Sequence, residues 1–280
     1  MSAPSRIARR FAALRSEGRS AFIPFVEAYD PDRETSLALL RALPAAGADL
    51  IEVGMPFSDP MADGPIIQAA GQRALKAGAT LSGVLDLIGE FRREDAETPI
   101  ILMGYLNPIM SFGIERFCRR AAEAGVDGLI VVDLPPEEQD MLLPAARATG
   151  LDFIRLVAPT TSEARLPTVL EGSSGFVYYI AITGITGTRS ASREELGRAI
   201  PRLRRATSLP IAVGFGVKTP EQAAEVAGLA DGAVVASALI DLMAGTLDQG
   251  RPTADTLPRV IAAAHALAEA VHAVRRSPAA

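Results

Sequence analysis

Two carboxylates in unusual settings are the first residues with chemistry to explain. Glu52 interrupts an apolar run in the stretch Asp49-Leu-Ile-Glu-Val-Gly-Met-Pro-Phe-Ser-Asp-Pro-Met-Ala-Asp-Gly-Pro65. Leu50, Ile51 and Val53, bracketed by Gly47 and Gly54, predict a buried strand. A strand that served only to pack would rarely hold a glutamate. Pro56, Pro60, Gly64 and Pro65 then break regular structure and predict a loop carrying Ser58, Asp59 and Asp63. Groups that do chemistry concentrate on loops at strand ends. Glu52 and Asp63 are therefore the leading acid–base candidates. Asp59 alone reads equally well as a solvated or helix-capping residue.

What the chain lacks narrows the chemistry further. Lysine occurs only at Lys76, in a helical stretch, and at Lys218. A Schiff-base aldolase needs a lysine in its site. Histidine occurs only at His265 and His272, on one face of the last predicted helix, where zinc chemistry inside the fold has no use for it. Cys118, the sole cysteine, reads as helix core and excludes an internal disulfide, which fits a reducing cytoplasm. The N-terminal residues lack the apolar core of a signal peptide, and no run is long enough to span a bilayer. A net charge of −5 without a basic block argues against nucleic acid as a partner. What remains is carboxylate acid–base work, without a metal or a cofactor in this chain.

These residues need a scaffold, and the chain describes one. Short apolar runs recur at Ala21–Val26, Asp49–Val53, Pro99–Met103, Gly128–Val132, Phe153–Val157, Phe176–Ile180, Pro210–Val213 and Ala233–Ala236. Helical stretches separate them, among them 34–45, 66–77, 81–93, 114–124, 137–149 and 220–227. Eight strand–helix units with nearly continuous apolar strands predict a parallel sheet covered by helices, and a (β/α)8 TIM barrel before a doubly wound sheet. The first strand ends in Glu27-Ala-Tyr-Asp-Pro31 and lacks the glycine fingerprint of the doubly wound alternative. An extra N-terminal helix within residues 1–17 presents Ile7, Phe11 and Leu14 on one face and is expected to cross an open end of the barrel. Asp30 is expected to cap the next helix with Pro31 at its first position, and Thr219-Pro-Glu-Gln222 reads as a capping box. The whole chain, 1–280, reads as a single domain with a frayed tail over 275–280.

Such barrels carry their sites at the C-terminal ends of the strands, with phosphate commonly held after strands seven and eight. Strand seven ends in Gly214-Phe-Gly-Val217 and strand eight runs into Ala236-Ser-Ala-Leu239, a helix N-terminus with a hydroxyl. Gly184-Ile-Thr-Gly187, followed by small polar residues to Ser192, has the composition of a lid. Three such loops at consecutive strand ends predict a phosphate pocket.

Taken with Phe22-Ile-Pro-Phe25, Met103-Gly-Tyr-Leu-Asn-Pro-Ile109 and Asp133-Leu-Pro-Pro-Glu-Glu138, these motifs resemble the tryptophan synthase alpha chain over residues 20–240. That resemblance implies retro-aldol cleavage of indole-3-glycerol phosphate to indole and glyceraldehyde 3-phosphate. It assigns the acid–base role to Glu52 and the carboxylate for the indole N–H to Asp63. Phe25, Tyr178 and Phe215 become residues around the ligand. Gly187, Gly214, Gly216 and Ser237, with Ala236 beside it, become the phosphate positions, and Thr186 the lid threonine that bonds Asp63. It also implies a tryptophan synthase beta chain as partner, in an α2β2 tetramer, docked on the loops at Pro56–Asp59 and Asn107–Pro108. Pyridoxal phosphate would belong to that partner. Competing readings are an allosteric partner of the beta chain with weak activity, a stand-alone lyase, and another phosphate-binding barrel such as an isomerase. Two departures stand out. The family's Gly-Asp-Pro after strand one is Tyr29-Asp30-Pro31 here, which predicts an altered turn because tyrosine resists glycine conformations. Its Gly-Ser before the last phosphate helix is Ala236-Ser237.

Overall fold

A computed structural model describes residues 4–181, 192–214 and 216–275. Parallel strands are its frame: β1 (Ala21–Glu27), β2 (Ile51–Gly54), β3 (Ile100–Gly104), β4 (Gly128–Val131), β5 (Asp152–Phe153), β6 (Arg155–Val157), β7 (Val177–Ile180), β8 (Ile211–Gly214) and β9 (Gly232–Val235). They pair in the order β5-β4-β3-β2-β1-β9-β8-β7-β6. The two edges, β5 and β6, are neighbours in the chain with only Ile154 between them. The expected Phe153–Val157 run is thus divided: β5 pairs with β4 and β6 with β7. The sheet wraps into a nearly closed barrel with its seam inside one run. This is the (β/α)8 architecture expected from the strand–helix rhythm.

Alternation along the strands sorts the side chains. Ala21 and Ile23 of β1, Ile101 of β3, Ile130 of β4, Phe176, Tyr178 of β7, Ala212 of β8 and Val234 of β9 fill the barrel interior. Phe22, Val26, Ile51, Val53, Ile100 and Leu102 face outward into the layer shared with the helices. The same parity turns Phe25, Glu27 and Glu52 inward, because successive strand side chains point to opposite faces.

Helix α1 (Arg6–Ser16) begins at Ser5, whose hydroxyl accepts the Ala8 N–H. Its Ile7, Phe11 and Leu14 join the interior cluster, so the helix closes the N-terminal end of the barrel as expected. Around the outside run α2 (Arg33–Ala42), α3 (Pro65–Lys76), α4 (Leu81–Arg92), α5 (Leu106–Phe112), α6 (Ile114–Ala124), α7 (Leu143–Ala148), α8 (Leu166–Leu170), α9 (Arg193–Ala206), α10 (Pro220–Ala227), α11 (Ser237–Ala244) and α12 (Thr256–Ala273). The short α5 and α8 have no counterpart among the helical stretches read from sequence. The single stretch expected over 137–149 divides into a 3-10 turn, Pro136–Met141, and α7, where Pro144 lies in the first turn. Proline lacks the N–H that a continuous helix would use there.

Three aspartates lace the barrel's N-terminal face. Asp49, Asp127 and Asp231 each accept a backbone N–H from the strand before their own: Phe22 at 2.8 Å, Ile100 at 2.8 Å and Ile211 at 2.9 Å. Each also meets arginine: Arg10 and Arg19 at Asp49, Arg6 and Arg92 at Asp127, Arg204 at Asp231. His272 of α12 reaches Asp49 at 2.7 Å. These are structural contacts at the end away from the loops that follow the strands.

The turn after β1 departs from expectation twice. Asp32, not Asp30, caps α2, accepting the Thr35 N–H at 2.8 Å. Asp30 is buried instead and takes a bidentate bond from Arg73 of α3, at 2.7 and 2.8 Å. Tyr29 keeps the left-handed conformation, with φ 68°, so the turn is not rebuilt around the tyrosine. Its ring is buried, and the surrounding packing holds the disfavoured backbone: its N–H bonds Ser36 Oγ at 3.1 Å, and its hydroxyl lies where a side chain at Gly83 of α4 would stand.

Candidate active site

The barrel register brings the two carboxylate loops to one mouth. β1 and β2 pair Phe25 with Glu52, so both side chains stand side by side on the inner wall. Glu52 is fully buried, and neither of its carboxyl oxygens has a hydrogen-bond partner among the described residues. Buried polar atoms are nearly always satisfied, and a lasting exception marks a working group. Burial disfavours the anion and pushes the Glu52 carboxyl up to about 8. At neutral pH it therefore carries a proton that it is able to give.

Asp63 hangs over the same space from the loop between β2 and α3. Tyr105, following β3, fixes that loop: its hydroxyl accepts the Ala62 N–H at 3.0 Å and donates to the Asp63 carboxylate. Burial raises the Asp63 carboxyl, and the tyrosine bond works in the opposite direction. The site thus separates two acids by environment: one unpartnered and neutral, one held by a donor and readier to ionise.

A cavity joins these groups to the phosphate side. It is lined by Phe25, Glu52, Asp63, Ile67, Met103, Tyr178, Gly216, Val217, Val234, Ala236 and Ser237. Its walls are mainly apolar, as a ring-shaped ligand requires. Tyr178 of β7 is buried against Gly214 of β8. A Cβ on Gly214 would fall 1.9 Å from the tyrosine hydroxyl, so only glycine admits that contact. Burial, and then the neighbouring Glu52, holds the Tyr178 hydroxyl well above its ordinary range, so it stays a neutral donor.

At the far end α11 begins at Ser237, which puts a hydroxyl and the free amides of a first helical turn at the cavity wall. Ala236, just before it, has φ −116°, a negative value, so the position does not demand the glycine-only left-handed conformation. Gly216 takes a positive φ of 81°. Of the other candidates, Thr186, Gly187 and Phe215 lie outside the described residues, as does the lid segment up to residue 191. Ser192 caps α9 in a reciprocal box with Glu195.

No group of His, Cys, Asp or Glu among the described residues is placed to hold a metal. His265 faces Glu269 on α12, and Cys118 is buried with its thiol pushed up to about 11, mainly by burial. Residues that the sequence reading passed over are Tyr105, Ile67, Met103, Val217 and Val234, together with Glu27, discussed below. Tyr105 lies within the stretch Met103-Gly-Tyr-Leu-Asn-Pro-Ile109. The inward parity of β1 and β3 was the signal for Glu27 and Met103.

This geometry has relatives. The family model described as tryptophan synthase alpha chain matches residues 11–272. The chain belongs to the tryptophan synthase alpha chain family. A tryptophan synthase alpha chain of Granulibacter bethesdensis is 64% identical over 273 residues, covering 98% of each chain. That of Acidiphilium cryptum is 64% identical over 274 residues, covering 98% of this chain and 99% of the other. Among solved structures, the alpha subunit of Legionella pneumophila superposes with a TM-score of 0.88 at 39% identity, covering 96% and 99%. Mycobacterium tuberculosis tryptophan synthase gives 0.86 at 36%, covering 97% and 100%. No helix of the described residues is long and apolar enough to cross a membrane.

Proposed function

We propose that Glu52 and Asp63 are the pair with which this tryptophan synthase alpha chain cleaves indole-3-glycerol phosphate to indole and glyceraldehyde 3-phosphate. The observation that carries the reading is the buried, unpartnered Glu52 carboxyl on the wall of a cavity that also meets Asp63 and the α11 N-terminus.

The bond to be broken joins indole C3 to the glycerol chain. An indole carbanion is a poor leaving group, so C3 must be protonated first. Glu52 gives its proton to C3, and the positive charge passes to the ring nitrogen. Asp63 accepts the N–H and stabilises that charge. The Glu52 carboxylate then takes the proton of the glycerol hydroxyl beside the scissile bond. The hydroxyl carbon becomes the aldehyde, the bonding pair returns to the ring as neutral indole, and Glu52 is again an acid. General acid–base catalysis supplies roughly 10²–10⁴-fold, and orientation in the closed site supplies more. Phe25, Ile67 and Met103 face the ring. Gly214, Gly216, Ala236 and Ser237 hold the phosphate at the α11 N-terminus; the phosphate and lid roles that the family resemblance gives to Gly187 and Thr186 fall on residues outside the described ones.

The partner is a tryptophan synthase beta chain, which holds pyridoxal phosphate, in an α2β2 assembly. Of the two stretches expected to dock there, Pro56–Asp59 is a loop, whereas Asn107 and Pro108 lie in helix α5 rather than in a loop; next to them Met61 is 84% exposed and Met110, also in α5, 51%. Asp133, after β4, accepts the Leu106 N–H at 2.8 Å and so holds the start of α5, which carries Asn107 and Pro108. A cytoplasmic location fits this biosynthetic role.

Indole release by the purified chain, alone and with a tryptophan synthase beta chain, tests the reading. Slow cleavage that accelerates with the beta chain is expected. Equal, fast rates in both would make it a stand-alone lyase, and no cleavage in either would refute the assignment.

A further inference from the structure

Glu27 is a second buried acid at the barrel mouth, and the cleavage mechanism leaves it without a task. It ends β1 with its side chain turned inward, one layer above Phe25 and Glu52. The register pairs it with Gly54 of β2. A Cβ on Gly54 would lie 2.1 Å from Glu27 Oε2, so the absence of a side chain there is what makes room for the carboxyl. Gly71 of α3 borders the same slot, its absent Cβ 4.0 Å from Oε1. The fold has therefore cleared two neighbouring positions around an acid that an apolar strand has no packing reason to contain.

The slot opens onto a small cavity whose polar side chains are Glu27, Asp63 and Tyr105. Its volume of about 20 Å³ is that of a single water. Phe25, Asp63, Ile67 and Met103 line both this cavity and the substrate cavity, so Asp63 stands between the two with Glu27 behind it. The charged and titratable groups facing Glu27 are Asp63 on the β2 loop, Tyr105 after β3, and Asp30 on the turn after β1. Arg73 of α3, the nearby cation, is committed in bidentate fashion to Asp30. Glu27 has no ion pair among the described residues. Two carboxylates lining one small cavity, with no cation to share, do not both ionise, and the proton stays with the more buried one.

We propose that Glu27 is the positioning residue of Asp63: as a neutral carboxylic acid it donates, through one water, to the face of Asp63 turned away from substrate. Tyr105 and Glu27 then hold the Asp63 carboxylate from two sides and keep it charged and aimed at the indole N–H. Burial first, then the Asp63 charge, then Asp30 keep the proton on Glu27. The coupling is reciprocal: the charge on Asp63 keeps Glu27 neutral, and the donor on Glu27 keeps Asp63 charged. This proposal rests on the reading of Asp63 as the carboxylate that receives the indole N–H.

The test combines kinetics with a direct view of the proton. In Glu27→Leu the donor is gone, and the acid limb of kcat/KM for indole-3-glycerol phosphate, set by ionisation of Asp63, should move up by about one pH unit, a tenfold change in that ionisation. Glu27→Gln keeps an N–H donor and should leave the limb in place. A purely structural Glu27 would lower Tm in Glu27→Leu without moving the limb, and that result overturns the proposal. In the full-length chain labelled with ¹³C at glutamate carboxyls, Glu27, assigned from the signal lost in Glu27→Gln, should be protonated at pH 7. Its titration midpoint should fall in Asp63→Asn. An ionised Glu27, or a midpoint indifferent to Asp63→Asn, overturns the proposal even if Glu27→Leu fails to fold. Cleavage retained in Asp63→Asn would instead sink the role of Asp63 itself, while the carboxyl titration still reports whether the two acids are coupled.

Discussion

Glu52→Gln should make the protein more stable as well as inactive, and the gain should depend on pH in a defined way. Glu52 is fully buried, without a partner, and its carboxyl is pushed up to about 8 by burial. In the unfolded chain the same group ionises near 4.5, its ordinary value. Below that pH both states hold the proton and the residue contributes no pH-dependent term. Between the two values only the unfolded state releases it, so the unfolded state gains about 1.4 kcal/mol for every pH unit. At pH 7 that disadvantage to the fold is about 3 kcal/mol, and it levels off near 5 kcal/mol above pH 8. Glutamine has the same shape and no proton to lose. The variant should therefore match the parent near pH 4, gain steadily with pH, and melt about 6 °C higher at pH 7 for a chain of this length. Paired thermal or urea denaturation of the two proteins across pH 4–9 measures the difference. A stability difference that stays flat with pH would refute the buried, protonated Glu52 on which the catalytic argument stands.

Two further substitutions probe the scaffold. Gly214→Ala sets a methyl where the Tyr178 hydroxyl lies, so the ring must move into the substrate cavity. An overpacking cost of about 1–3 kcal/mol in urea denaturation and a raised KM with less change in kcat are expected. Arg73→Met strips the bidentate partner from Asp30, whose carboxyl burial already raises above the usual range against the pull of Arg73. A loss of roughly 3–5 kcal/mol is expected at neutral pH, and it should shrink as acid protonates Asp30, because the orphaned buried charge is the cost.

Much of this was legible in the sequence because the periodicities are strong. Eight apolar runs separated by amphipathic stretches allow few folds, and Glu52 announced itself by breaking one of those runs. Spacing could not show that Ile154 hands the pairing from β4 to β7, since that depends on closure of the barrel. Nor could it show that Asp30 is bound by Arg73, a residue 43 positions away. The turn at Tyr29 misleads because local preference there is overruled by tertiary packing: the ring is buried, and its contacts outweigh an unfavourable φ of 68°. Glu27 was passed over for a related reason. At the end of a strand it reads as the start of a solvated turn, and only the register with Gly54 turns it into a buried acid.

The central claim is that Glu52 gives and retakes the proton, and a pH profile of single-turnover cleavage tests it most directly. Indole formation from indole-3-glycerol phosphate by the wild-type chain should fall as pH rises through about 8, where Glu52 loses its proton. Glu52→Gln should bind the substrate and form no indole at any pH. Turnover retained in Glu52→Gln, with the same alkaline limb, would contradict the account.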